Sequence, residues 1–259
     1  MEEKGLSLVA ASATKKVAYS KNIPQYFIYS AMAGACCALG MALAYSVGSA
    51  FYFNSATTGM YSLIMGITFA LSFTLIVFSG AELFTGNMMT MTIGTLTRSI
   101  TIKQALTLSV FCYFANICGA IFFGWLFGAT GLLEGKVGQF LVTSCEKKMA
   151  LPFSQALTRG ILCNMLICMG TWATIKLKSE AAQMIVLVWV VLGFVATGYE
   201  HSIANTALFT MSFLAPQTTS SISLAGAFSN LLPVTLGNII GGSLFVGFVY
   251  WYSGRSLKS

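Results

Sequence analysis

Apolar residues gather in six stretches near the ~20 residues that cross a bilayer's hydrocarbon core, at roughly 26–48, 60–81, 105–128, 156–175, 183–199 and 226–252. Two further apolar stretches are too short to cross alone. One, 82–97, is rich in Gly, Thr and Met and follows the second span; the other, 203–215, follows the fifth. Each reads as the second half of a helix broken at membrane depth, where irregular backbone is tolerated only if protein or a water-filled cavity covers it. The pattern predicts an all-α membrane protein with six transmembrane helices, the second and fifth of them broken.

Composition strengthens this reading. Only 8% of residues are charged, 56% are apolar, and no Asp occurs, whereas soluble domains carry about a quarter charged residues. No secretory signal is visible in 1–21, so the first span itself is expected to direct insertion. Charge then sets orientation. With both termini in the cytoplasm, that side holds ten cations (Lys4, Lys15, Lys16, Lys21, Arg98, Lys103, Lys176, Lys178, Arg255 and Lys258). The outer side holds four (Lys136, Lys147, Lys148 and Arg159), which satisfies the positive-inside bias. The net charge of +7 also disposes the protein toward anions. No basic cluster with interleaved aromatics points to nucleic acid. Cysteines 36, 37, 112, 118, 145, 163 and 168 lie mostly inside spans without CxxC or Cys/His spacing, so they read as reduced hydrophobes and no metal or cofactor is expected. The strip from Ala31 to Gly40 is crowded with small residues, which allows close helix approach within the bundle and between subunits.

The chain also repeats. Residues 80–87, Gly-Ala-Glu-Leu-Phe-Thr-Gly-Asn, match 198–205, Gly-Tyr-Glu-His-Ser-Ile-Ala-Asn, in a Gly-x-Glu followed five residues after the Glu by Asn. Asn116-Ile-Cys-Gly119 resembles Asn238-Ile-Ile-Gly241, and Lys15-Lys16-Val-Ala resembles Lys147-Lys148-Met-Ala. With three spans per half, the second half enters the membrane upside down. Such inverted repeats place a site near the midplane, where the two broken helices meet. One transmembrane domain over 1–259 is therefore expected: a cytoplasmic segment 1–25, repeats 26–128 and 156–252, an external connection 129–155, and a cytoplasmic tail 253–259.

Polar residues at membrane depth are the candidates for chemistry. His201, the sole histidine, follows Glu200 at the second break and faces Leu83 at the matching position of the first. Glu82 and Glu200 are read as scaffolds that accept backbone N–H groups freed by the breaks, in preference to proton carriers or cation ligands. Asn87, Asn205, Asn116 and Asn238 read as interhelical contacts, and Asn164 either does the same or orients His201. Lys16 and Lys148 act either as span anchors or, as a pair on opposite faces, as collectors of anions at two mouths. Leu83 and Phe194 form either dry constrictions or ordinary packing.

The two Gly-x-Glu segments and Pro233-Val-Thr-Leu-Gly-Asn-Ile-Ile-Gly-Gly242 resemble the signatures of the formate/nitrite transporter family, in order and across essentially the whole chain. The resemblance implies an aquaporin-like fold, a homopentamer with one pore per protomer in the bacterial cytoplasmic membrane, and passage of small monovalent anions. It implies that His201 and Asn164 are central, Lys16 and Lys148 line vestibules, and Leu83 and Phe194 constrict the pore. It also implies a mobile loop over Met89–Thr97 carrying Thr90, Thr92 and Thr95. Within the family the chain as a whole looks closest to the hydrosulfide channels. The expected function is a channel for hydrosulfide, and also formate and nitrite, with proton-coupled formate/nitrite symport as the alternative. A bare anion in a dry constriction is costly and its neutral acid is not, so His201 either stabilises the anion or lends it a proton. Water-channel and potassium-filter readings fail because no Asn-Pro dipeptide and no Thr-Val-Gly-Tyr-Gly run occurs. One histidine beside one glutamate is thin support for an enzyme.

Overall fold

The computed structural model describes residues 2–254, leaving Arg255, Lys258 and most of the expected 253–259 tail outside the described residues. Every regular element described is helical: α1 Glu2–Tyr19, α2 Ile23–Tyr52, α3 Tyr61–Ser79, α4 Phe84–Leu96, α5 Ile102–Gly128, α6 Lys136–Met149, α7 Phe153–Lys176, α8 Glu180–Ala196, α9 Ser202–Leu214, α10 Leu224–Ile240 and α11 Val249–Ser253. A π-helical stretch, Gly241–Phe248, joins α10 to α11 without a break. Five of these runs are long and apolar enough to cross a membrane: α2, Thr58–Ser79, α5, α7 and Leu224–Ser253. The expected fifth span becomes α8, an apolar helix of 17 residues, about 26 Å long at ~1.5 Å per residue.

Local chemistry explains the helix ends. Thr101 and Gln104 form a capping box at the start of α5, while Ser179 and Ser223 cap α8 and α10 through side-chain oxygens. Both breaks are built alike. Gly80 and Gly198 adopt left-handed backbone, with φ of 71° and 75°. In each case the next N–H reaches back across the last turn, Ala81 to Ile76 O at 3.0 Å and Tyr199 to Phe194 O at 2.9 Å. This is the Schellman arrangement, which favours glycine at the left-handed position.

Helix α2 packs along α5, α7 along α10, and α3 against α8. The small-residue strip of α2 serves packing within the chain: a Cβ added to Gly34 would lie 1.9 Å from the Asn116 carbonyl oxygen. Two helices lie where the sequence pattern placed only flanking segments. Helix α1 buries Leu6, Val9, Ala10 and Ala13, and α6 buries Phe140, Leu141, Val142 and Cys145. Both are too polar in composition to register as spans, yet each carries one apolar face. The expected mobile loop over Met89–Thr97 also differs, because α4 is helical through Leu96. Met89 and Ile93 are fully buried, and Thr90, Thr92 and Thr95 turn their hydroxyls back to the carbonyls of Gly86, Met88 and Met91. Such back-bonding lets threonine sit inside an apolar helix without an unsatisfied hydroxyl.

Helix α6 is tied to the 215–223 turn. Glu146 Oε1 accepts from Ser221 Oγ at 2.5 Å and from Thr219 Oγ1 at 2.6 Å. The hydroxyls of Ser221 and Thr219 favour the carboxylate and hold Glu146 below its ordinary range. An acid depressed by folding stabilises the fold above its unfolded value, about 4.3 for glutamate. That stabilisation disappears as pH falls through the lowered folded value. The protection of amides in 215–223, taken relative to their intrinsic exchange rates at each pH, is accordingly expected to fall as pH drops below about 4.3, and Glu146→Ala is expected to lower it already at neutral pH. Replacing Gly198 with Ala is expected to cost about 1–2 kcal/mol, the penalty for an L-residue in left-handed backbone. Thermal unfolding in detergent measures this, with Gly59→Ala as a control at a site with open space around it.

Candidate functional site

The residue after each break glutamate starts the next half-helix in extended backbone: Leu83 at φ −100°, ψ 126° before α4, and His201 at φ −116°, ψ 116° before α9. Two asparagines hold these turns. Asn116 Nδ2 donates to Ser30 O at 2.7 Å and Glu82 O at 2.8 Å, while its Oδ1 accepts from Phe84 N at 2.9 Å. Asn238 repeats the pattern, donating to Gly160 O at 2.9 Å and Glu200 O at 3.0 Å and accepting from Ser202 N at 3.0 Å. Each side chain thus replaces hydrogen bonds that an unbroken helix would supply.

The glutamates do not accept freed backbone N–H groups, as the sequence pattern led us to expect. Their carboxylates face lysines and asparagines. Lys16 Nζ lies 2.6 and 2.7 Å from the two oxygens of Glu82, which also takes Asn87 Nδ2 at 3.1 Å and the Tyr26 hydroxyl at 3.3 Å. Lys148 Nζ donates to Glu200 Oε1 at 2.6 Å, and Asn205 Nδ2 to Oε2 at 2.6 Å. Asn230 closes this second network, accepting from Asn205 at 2.8 Å and donating to Lys148 O at 2.9 Å. The backbone needs at the breaks are already met by Asn116 and Asn238, which frees the carboxylates to compensate the lysines. Neither lysine is therefore an isolated cation.

His201 is buried between the halves. Its Nδ1 accepts the Ala204 backbone N–H at 3.1 Å, so the ring caps α9, and Nε2 lies 3.0 Å from Thr85 Oγ1 of α4. With Nδ1 occupied as an acceptor, the neutral ring carries its proton on Nε2 and donates it to Thr85. Phe194 lies 6.1 Å from His201, centroid to centroid, in a near-parallel orientation. Asn164 makes no hydrogen bond to His201. It donates to Thr85 O at 3.1 Å and to Asn238 O at 2.5 Å, acting on the threonine that meets the histidine.

Two cavities approach this centre. One, of about 420 Å³, is lined by residues including Lys15, Lys16, Tyr29, Glu82, Leu83, Asn87 and Thr90. The other, of about 580 Å³, is lined by residues including Tyr45, Lys147, Lys148, Arg159, Phe194, Glu200, His201 and Asn205. They share no lining residue. Leu83 and Phe194 are both buried, and each lines its own cavity. The structure thus gathers Lys16, Glu82, Leu83, Asn87 and Thr90 on one side, and Lys148, Glu200, Asn205, Phe194 and His201 on the other. Thr92 and Thr95 line neither cavity; they border an apolar recess between α4, α5 and α10. Sequence reasoning missed Thr85, Tyr26 and Asn230. An amide inside the sixth apolar stretch was the readable signal for Asn230, whereas nothing local singles out Thr85.

Two cavities that share no lining residue and reach paired helix breaks, in an all-α protein with several apolar helices, fit a membrane transport protein. The family model described as formate/nitrite transporter matches residues 3–252. "Nitrite transporter NirC" of Escherichia coli (strain K12) is 36% identical over 246 residues, covering 94% of this chain and 89% of NirC. A solved "FNT family ion channel" superposes with a TM-score of 0.89 at 32% identity, covering 96% of this chain and 98% of that one. A "Pentameric formate channel with formate bound" gives 0.79 at 28% identity, covering 90% and 98%. The chain belongs to the formate/nitrite transporter family. Its matches are transporters and channels rather than enzymes.

The two ion pairs are expected to respond unequally to mutation. Glu200 is 2% exposed and Glu82 15%. Lys148→Met leaves Glu200 charged and largely dry, and is expected to cost about 3 kcal/mol, the low end for a broken buried pair. Lys16→Met is expected to cost less. Adding Glu200→Gln to Lys148→Met is expected to recover most of the loss in thermal unfolding.

Proposed function

We propose that this protein is a homopentameric channel passing small monovalent anions through each protomer. Its single transmembrane domain is read as two inverted three-helix repeats of aquaporin-like form in the bacterial cytoplasmic membrane, with both termini in the cytoplasm. The 420 Å³ cavity then faces the cytoplasm and the 580 Å³ cavity the exterior. The observation that carries this reading is a pair of cationic cavities that share no lining residue, with His201 of one in contact with Thr85, two residues from Leu83 of the other. We read the layer of Leu83, Phe194, Thr85 and His201 as a septum between them. Lysines offset by glutamates draw anions inward without trapping them. The septum is too apolar for a hydrated ion, and the Nε2–H of His201 is the donor an anion would meet there, by exchanging its bond to Thr85. An imidazolium would need a proton at Nδ1, where the Ala204 N–H already points, so His201 serves as a neutral donor rather than a proton source. Formate and nitrite are supported by the names of the relatives. Hydrosulfide is supported by the overall likeness of the sequence to the hydrosulfide channels, and by its small size and weakly acidic parent.

Efflux of formate, nitrite and hydrosulfide from proteoliposomes, each over a range of pH, tests these points together. The expected result is electrogenic flux of at least one anion; electroneutral flux coupled to protons would instead establish symport. His201→Asn keeps a helix-capping oxygen but lacks Nε2–H. It is expected to lower flux roughly tenfold or more, the scale of one hydrogen bond to a charged group, without altering the pH profile. A changed profile returns the proton-transfer role to His201.

A further inference from the structure

The two halves differ at the mouth of their cavities as well as at the septum. The backbone N–H of each break glutamate donates to a carbonyl on the neighbouring long helix: Glu82 to Tyr29 O at 3.2 Å, and Glu200 to Arg159 O at 3.3 Å. Tyr29 and Arg159 are therefore structural counterparts, and each lines its own cavity. Where one cavity presents a phenol, the other presents a guanidinium.

The cations around Arg159 are engaged. Lys148 is held by Glu200 at 2.6 Å. Lys147 lies over the Tyr52 ring, 5.6 Å from its centroid, and donates to the Tyr52 hydroxyl at 3.3 Å. The Arg159 side chain has no hydrogen bond, ion pair or ring contact among the described residues, although it is half-buried. The lining therefore carries Lys147, Lys148 and Arg159 against the single acid Glu200, compared with Lys15 and Lys16 against Glu82 in the other cavity.

We propose that Arg159 is the docking point for the permeating anion in the larger cavity, and that it selects planar oxyanions. Two parallel N–H donors match two oxygens on one atom, as in a carboxylate or nitrite. Hydrosulfide, with a single acceptor atom, cannot satisfy both donors in parallel and gains chiefly from the charge. The proposal rests on the channel reading and names the substrate class favoured at entry.

Half-saturating concentrations for formate, nitrite and hydrosulfide flux in proteoliposomes, at two ionic strengths, test it in the parent, Arg159→Gln and Arg159→Lys. Arg159→Gln is expected to raise the values for formate and nitrite about tenfold, the lower end of electrostatic capture effects, and to shift hydrosulfide less. Arg159→Lys is expected to restore the salt dependence but not the preference for formate and nitrite. Thermal unfolding should be unchanged in both variants, since the side chain bonds to none of the described residues. Equal shifts for all three anions that lysine fully repairs overturn the proposal, as does an Arg159→Gln protein indistinguishable from the parent. A parent that passes none of the three anions overturns the channel reading and this inference together.

Discussion

Two helices are interrupted at membrane depth, and the backbone groups released there have no water to turn to. An unsatisfied amide in such surroundings costs several kcal/mol, so the rest of the arrangement depends on how Asn116 and Asn238 meet that demand. Each joins a carbonyl of the first long helix of its half, the carbonyl of the break glutamate, and an N–H of the restarted half-helix. One amide thereby fixes three segments relative to one another. Once the turn is held this way, the glutamate side chain is free to meet a lysine, and the following residue projects between the two cavities.

The repetition is close in the scaffold and loose in the chemistry. The glycine turns, glutamates, asparagine clamps and lysines correspond pair by pair. At positions that line the two cavities, the halves part: Leu83 against His201, and Tyr29 against Arg159. Asn164 has its own role, since it holds the backbone of Thr85 in the opposite half and so sets the partner of the histidine ring. The asymmetry therefore sits in a few side chains on a nearly symmetric frame.

Much of this frame was legible in the chain. Long apolar runs revealed the spans, and the paired Gly-x-Glu segments located both breaks, because left-handed backbone and a membrane-depth acid are rare and leave clear marks. The matched lysines and glutamates were both visible, but not their contact: Lys16 and Glu82 lie 66 residues apart in sequence, and only the docking of α1 brings them together. Helices α1 and α6 escaped notice because their polar residues mask one apolar face each. The apolar pattern after the first break read as the second half of a broken helix, whereas the family resemblance implied a mobile loop over Met89–Thr97. Threonine hydroxyls bonded to their own helix, and burial of Met89 and Ile93, make it helical instead.

The separation of the two cavities has a further consequence. Protons move along unbroken chains of hydrogen-bonded water, and in the proposed channel the apolar faces of Leu83 and Phe194 would interrupt any such chain between the compartments. A path opened by rotation of one or two side chains can admit a solute and close again within the fast timescale of rotamer exchange. A cell could then exchange a small metabolite without discharging the electrochemical gradient that powers its membrane.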